Sequence, residues 1–252
     1  MINSSENPII ENNHPPFKIT ILTLYPEAFP GYLNLGVVGR ALKKGIWSLE
    51  IINIRDYALD KYKKVDDKVF GGGKGLLLKP DVLGRAIESA FENGATKNLI
   101  YPSPRGAVFN QEIAKNLSQE QGLTFVCGHF EGIDERIIEK YKPQELSLGD
   151  YILSGGELAT TVIIDSILRL KQDVLNSKEC TIEESFNNDL LEYPQYTHPQ
   201  NWEGMSVPEV LLSGNHQKIK QWRFEKSLEK TQKVRPDLFE KYLKNKHIHK
   251  NN

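Results

Sequence analysis

The stretch Leu123-Thr-Phe-Val-Cys127-Gly-His-Phe-Glu-Gly-Ile-Asp-Glu-Arg136-Ile-Ile-Glu-Lys140 decides the fold. A short apolar run, a turn punctuated by Gly128 and Gly132, and a segment with helical spacing make one strand–turn–helix step. Working outward, the same step recurs on both sides. Apolar runs predict strands at Phe17–Leu24, Trp47–Ile54, Lys97–Tyr101, Leu123–Cys127 and Glu145–Leu148. Helices are predicted at Val37–Lys44, Asp81–Glu92, Gln111–Gln119, Asp134–Lys140 and Glu157–Lys171. The last of these follows Gly155-Gly156 and keeps Leu158, Val162, Ile163, Ile167 and Leu170 at near-helical spacing. Strands of four to eight residues separated by helical segments imply an α/β domain whose parallel sheet is covered on both faces.

The pattern changes after Lys171. Residues 172–184 are polar and mixed, and 191–208 carry Pro194, Pro199 and Pro208 with few periodic apolar positions, as in a linker followed by irregular loops. Beyond Ser213-Gly214-Asn215 helical spacing returns through Ile219, Trp222 and Leu228, and a last helix is predicted from Pro236-Asp237. The expected organisation is a disordered N-terminal extension over 1–16, an α/β domain over 17–172, a linker over 173–190 and a small helical domain over 191–252.

Composition narrows the setting. The apolar share of 39% and charged share of 26% suit a chain that buries a core. Apolar stretches such as Ile19 to Leu24 fall far short of the roughly 20 residues a membrane helix needs. The first 16 residues lack the basic start and apolar segment of a secretory signal, and two cysteines, Cys127 and Cys180, make no disulfide framework. A cytoplasmic chain with no membrane partner is expected. The net charge of −1 hides an asymmetry: residues 214–252 hold 11 Lys and Arg against 4 Asp and Glu. Such a tail reads equally as a docking face for a polyanion or as a solvated lysine-rich helix.

Phe70-Gly-Gly-Gly-Lys-Gly75 fails as a phosphate loop, because Lys74 is followed by Gly75 and not by Ser or Thr. It reads as a turn with positive φ or a close backbone approach. The dinucleotide fingerprint is missing after the first strand, with Gly36-Val-Val-Gly39 only a fragment of it. Three later segments sit at predicted strand ends, where open α/β sheets place ligands: Tyr101-Pro-Ser-Pro-Arg-Gly106, Cys127 to Arg136, and Ser147-Leu-Gly-Asp-Tyr-Ile-Leu-Ser-Gly-Gly-Glu157. Metal binding by Cys127, His129 and Glu131 is disfavoured for want of a second ligand pair, and Cys127 reads as a small buried apolar residue.

Together these segments are specific. With Ile21-Leu-Thr-Leu-Tyr-Pro26, Asn53-Ile-Arg-Asp-Tyr57, the Gly71–Gly75 loop, Tyr193-Pro-Gln-Tyr-Thr-His-Pro199 and Leu212-Ser-Gly-Asn-His216, they make the chain resemble the bacterial tRNA (guanine-N1)-methyltransferase family of the SPOUT superfamily. The likeness runs from about Phe17 to about Glu240. It implies a trefoil-knotted α/β domain, although knots are nearly absent from ordinary folds. It also implies a homodimer and S-adenosylmethionine as methyl donor. The implied acceptor is guanosine 37 of a tRNA in which guanosine also occupies position 36. The family's donor loops carry over to Tyr101, Pro102, Ser103 and Pro104, to Gly128 and Glu131, and to Leu148, Gly149, Asp150, Tyr151, Ile152 and Leu153 with Gly155 and Gly156. Relatives require magnesium, for which no ligand cluster stands out here.

N1 of guanine carries a proton at neutral pH, so methylation needs a general base and a cation near O6. The resemblance assigns the base to Glu183-Glu184-Ser185-Phe186, at Glu184 with Glu183 as fallback, and the cation to Arg169. Relatives usually have Asp at the position of Glu184. A plainer reading of Arg169 is a helical pair with Asp165. Lys74 and His129-Phe130 also depart from the family's commoner residues. Lys218, Lys220, Arg223, Lys226, Lys230, Lys233 and Arg235 are expected to meet tRNA phosphates. A fold retained for RNA binding alone, or a small-molecule methyltransferase, are the rival readings.

Overall fold

Alternation along the first strand sorts its side chains to two faces. In β1 (Phe17–Thr23), Phe17, Ile19 and Ile21 enter one buried cluster, whereas Leu22, with Leu24 just beyond, enters another. This period-2 division is what a sheet covered on both sides demands. The computed structural model describes residues 15–175 and 184–248. Nearly all of the expected N-terminal extension, Cys180, Glu183 and part of the expected linker lie outside the described residues.

The described residues fall into two units divided near residue 176. The first continues with α1 (Gly36–Lys43), β2 (Trp47–Asn53), β3 (Asp66–Lys68), β4 (Leu76–Leu78), α2 (Pro80–Glu92), β5 (Leu99–Val108), α3 (Gln111–Leu117), β6 (Gly122–Val126), α4 (Glu135–Tyr141), β7 (Gln144–Ser147) and α5 (Gly156–Leu168). The main sheet has the order β2-β1-β6-β5-β7, and every pairing in it is parallel. One face carries α1, α3 and α5 through Val38, Ala41, Ala114, Leu117, Ile163 and Ile167; the other carries α2 and α4 through Val82, Leu83, Ile87 and Ile137. Because all five strands run the same way, the turns leaving β1, β5, β6 and β7 emerge at one edge of the sheet.

Three local departures from the sequence reading have physical causes. The segment 101–106, expected as a loop, lies within β5, whose register breaks between Pro102 and Ala107. Pro102 and Pro104 lack the N–H that a continuous ladder needs, so pairing with β7 stops and resumes. The short β3–β4 antiparallel hairpin is an addition to the expected strands; the Gly71–Gly75 turn links it, with φ of +86° at Gly71 and +81° at Gly72. Finally, α5 ends at Leu168 instead of Lys171, and a tightened turn follows in which Leu170 and Lys171 donate to the carbonyls of Ile167 and Leu168.

The second unit contains a small hairpin, β8 (Asn201–Trp202) with β9 (Met205–Ser206), and the helices α6 (Glu209–Leu212), α7 (His216–Val234) and α8 (Pro236–Ile248). The Asn215 side chain accepts from the backbone of Lys218 and caps α7. Lys241 pairs with Asp189 at 2.7 Å, and the buried Thr231 hydroxyl accepts from the backbone of Leu191. Of the expected RNA-facing cations, Lys218, Lys220, Lys230 and Lys233 are exposed, whereas Lys226 pairs with Glu229 and Arg235 with Asp237. Among the described residues no helix is long and apolar enough to cross a membrane.

Candidate active site

At that shared edge of the sheet, three turns close around a cavity of about 250 Å³. Tyr101, Pro102, Ser103 and Pro104 line it from β5; Gly128 and Glu131 from the turn after β6; and Leu148, Gly149, Tyr151, Ile152, Leu153, Gly155 and Gly156 from the turn between β7 and α5. Asp150 is exposed and lies outside the lining. Further lining residues that sequence reasoning does not single out for the donor include Arg105, His129, Ile133, Leu146 and Ala159. A larger open cleft between α2 and α4 has much of its charge internally paired, Lys140 with Glu88 and Arg85 with Asp81.

The turns are held by one another. A backbone bond from Gly156 N–H to the Gly128 carbonyl spans 2.9 Å, and His129 and Gly155 form an isolated antiparallel bridge. The β3–β4 hairpin joins in: the Glu131 N–H donates to the Leu76 carbonyl and the Leu78 N–H to the Gly132 carbonyl. A side chain at Gly75 would meet the Glu131 carboxylate at 2.5 Å. The phenol ring of Tyr101 occupies the space a Cβ at Gly128 would need, at 2.7 Å. Burial, reinforced by the charge of Glu145, holds that phenol above its usual range. Gly149, at φ +145°, makes the bend after Ser147, whose hydroxyl bonds both its N–H and its carbonyl.

Gly128, Gly155 and Gly156 are demanded by the protein's own packing, against Tyr101, against His129 with Glu157, and against the Cys127–Gly128 backbone. Cys127 is fully buried beside Thr160, and burial, with Glu157 second, pushes its thiol well above the ordinary range. A thiol so disfavoured as thiolate suits packing and not nucleophilic attack.

Arg169 follows α5 in the first unit, its N–H donating to the Asp165 carbonyl. Burial raises the Asp165 carboxyl, and the Arg169 charge opposes that rise, so the two interact as the helical spacing predicts. Glu184 is half-buried in the second unit, next to Ser185, whose hydroxyl accepts from the backbone of Glu192.

The sequence matches the family described as tRNA (Guanine-1)-methyltransferase TrmD over residues 17–241. It is 50% identical to the tRNA (guanine-N(1)-)-methyltransferase of Wolbachia pipientis subsp. Culex pipiens (strain wPip) over 224 residues, covering 88% of this chain and 97% of that one. The enzyme of the same name from Pelagibacter ubique (strain HTCC1062) is 52% identical, with 89% and 98% covered. That from Clostridium beijerinckii is 53% identical, with 89% and 92% covered. The chain therefore belongs to the tRNA (guanine-1)-methyltransferase family of enzymes.

Proposed function

We propose that this tRNA (guanine-N1)-methyltransferase, working in the cytoplasm, takes its methyl group from S-adenosylmethionine held in the three-turn cavity. It delivers the methyl to N1 of guanosine 37 when guanosine precedes it. The observation that carries this reading is the convergence of residues 101–104, 128–131, 148–149 and 151–156 on one cavity at the C-terminal edge of a parallel sheet. These turns suit such a donor in kind. They bring backbone N–H and C=O groups, the wall of Tyr101 and the carboxylate of Glu131 to one place, as an adenine edge and a cationic group require.

When bound, S-adenosylmethionine supplies an already activated methyl. What remains for the chain is orientation and proton removal. In this reading Glu184 takes the proton from N1, and Arg169 faces O6, where negative charge gathers. No residue is assigned to magnesium, since no group of three His, Cys, Asp or Glu side chains gathers among the described residues.

We further read the active form as a knotted homodimer. The exposed apolar side chains of Tyr151, Ile152, Leu158 and Val162 beside the cavity suit coverage by a second copy. A volume of 250 Å³, slightly below the roughly 300 Å³ at which ligand sites commonly start, also fits a site completed by that copy. Lys218, Lys220, Lys230 and Lys233 would contact the tRNA backbone.

The test is transfer of labelled methyl from S-adenosylmethionine to unmodified tRNA bearing guanosines 36 and 37. Loss of transfer with adenosine at 37, and with Glu184→Gln, is expected. Equal transfer to the adenosine-37 tRNA would refute the substrate assignment.

A further inference from the structure

A buried carboxylate ties the cavity turns to the end of β1. Oε1 of Glu157, in the first turn of α5, accepts from the Thr23 hydroxyl at 2.6 Å, and its Oε2 is 2.7 Å from Nε2 of His129. Thr23 is wholly buried, and the side chains of His129 and Glu157 are each 13% exposed. The Thr23 oxygen in turn accepts from the backbone of Tyr25, whose ring packs on the His129 imidazole at 4.8 Å. Both oxygens of one carboxylate are thus spent on two other chain segments, and hydrogen bonds to a charged acceptor are the strong kind.

The geometry around Gly155 shows what this arrangement excludes. A Cβ there would sit 2.5 Å from Nε2 of His129 and 2.7 Å from Oε2 of Glu157. The His129–Glu157 pair fills the notch behind the turn, and the turn lies against it. His129 lines the cavity; Thr23 and Glu157 do not.

We propose that Glu157 is a positioning residue for the methyl donor, acting through Thr23 and His129 to fix the turns at 128–132 and 153–156. The inference rests on the donor site proposed above. Its logic is preorganisation: turns already locked in the binding geometry lose little freedom when the donor arrives, so affinity is retained that floppy turns would forfeit. The Thr23 hydroxyl is the cleanest probe, because Thr23 lies outside the cavity lining and acts on the turns through Glu157 and through Tyr25 against His129.

The experiment compares Thr23→Val, which keeps the shape and removes the hydroxyl, with Thr23→Ser, which keeps the hydroxyl. Each full-length variant is measured for S-adenosylmethionine Kd by calorimetry, for donor KM and kcat separately, and for Tm. Thr23→Val removes the charge-assisted bond to Glu157 together with the acceptor of the Tyr25 N–H, and is expected to raise donor Kd and KM about 3- to 10-fold, while kcat at saturating donor changes less. Thr23→Ser should recover donor affinity to within about twofold. Should Thr23→Val fail to fold, His129→Leu against His129→Gln replaces it, since Gln retains an N–H donor near the Nε2 position. Wild-type donor affinity in Thr23→Val with a lowered Tm would overturn the inference, as would Thr23→Ser binding as weakly as Thr23→Val. An intact chain that binds no S-adenosylmethionine would instead bring down the donor site itself.

Discussion

Gly156→Ala adds one methyl where two cavity turns touch. The Cβ would stand 2.9 Å from both Cα of Cys127 and N of Gly128, which are backbone atoms of the exit from a central strand. Ordinary carbon contacts begin at about 3.5 Å, so α5 and the end of β6 must part by roughly 0.6–1 Å. Neither side offers a flexible side chain to yield. The bond from Gly156 N–H to the Gly128 carbonyl, now 2.9 Å, lengthens with the same movement. Overpacking of this kind costs about 1–3 kcal/mol and the weakened bond about 1 kcal/mol. The better helix propensity of Ala returns up to about 1 kcal/mol. The net loss of about 1–4 kcal/mol corresponds to a Tm lower by roughly 2–16 °C for a unit of this size.

The effect on binding should exceed the effect on stability. A displacement near 1 Å in groups that orient a reactant can cost up to about 100-fold, and at least a tenfold rise in S-adenosylmethionine Kd is expected. Differential scanning calorimetry with and without the donor, together with titration calorimetry, measures both quantities. Gly73→Ala is the control, because its Cβ meets nothing within 4 Å and its φ lies outside the left-handed range. That substitution should leave Tm unchanged or slightly higher. A Gly156→Ala protein with wild-type Tm and donor Kd within twofold would refute the argument that the turns are packed to backbone contact.

Three further outcomes are expected. Glu184→Gln should lower kcat by about 10²–10⁴ with donor Kd unaltered, and Glu184→Asp should retain most activity; single-turnover rates at saturating donor check both. Lys218→Gln with Lys220→Gln should weaken tRNA binding and leave the donor Kd alone. The log–log salt dependence should flatten by about 0.7–0.9 for each phosphate that a lysine no longer neutralises, which a filter-binding salt series reads directly. The raised Cys127 thiol implies a native state that keeps its proton after the unfolded chain has lost it. The corresponding stability is complete below about pH 8.5 and falls above it by up to about 1.4 kcal/mol per pH unit, so urea denaturation between about pH 8 and 10 should show a steeper loss for the wild type than for Cys127→Ala.

Strand and helix placement was legible because burial on two faces writes itself into local periodicity. Phe17, Ile19 and Ile21 against Leu22 and Leu24, or Leu123 and Phe125 against Val126, carry the whole instruction within a few residues. The β3–β4 hairpin lacked that signal: Asp66–Lys68 is polar, and its pairing with Leu76–Leu78 spans a turn of glycines that reads as loop. Segment 101–106 was hidden differently, because prolines that interrupt a ladder look locally like prolines that end one.

The cavity residues show a deeper limit. Motif spacing located the three turns, yet the reason for each glycine lies far along the chain: Tyr101 excludes a side chain at Gly128, His129 and Glu157 exclude one at Gly155, and Cys127 excludes one at Gly156. Nothing in the string Ser154-Gly-Gly-Glu157 announces that the missing side chains make room for an imidazole 26 residues earlier and for a carboxylate tied to β1. A glycine beside a ligand site therefore admits two physical readings, close approach to the ligand or close approach of the walls to each other, and only coordinates separate them. Here contacts between the walls are enough to require all three glycines, and the cavity takes its shape from how β1, β6 and α5 lock together.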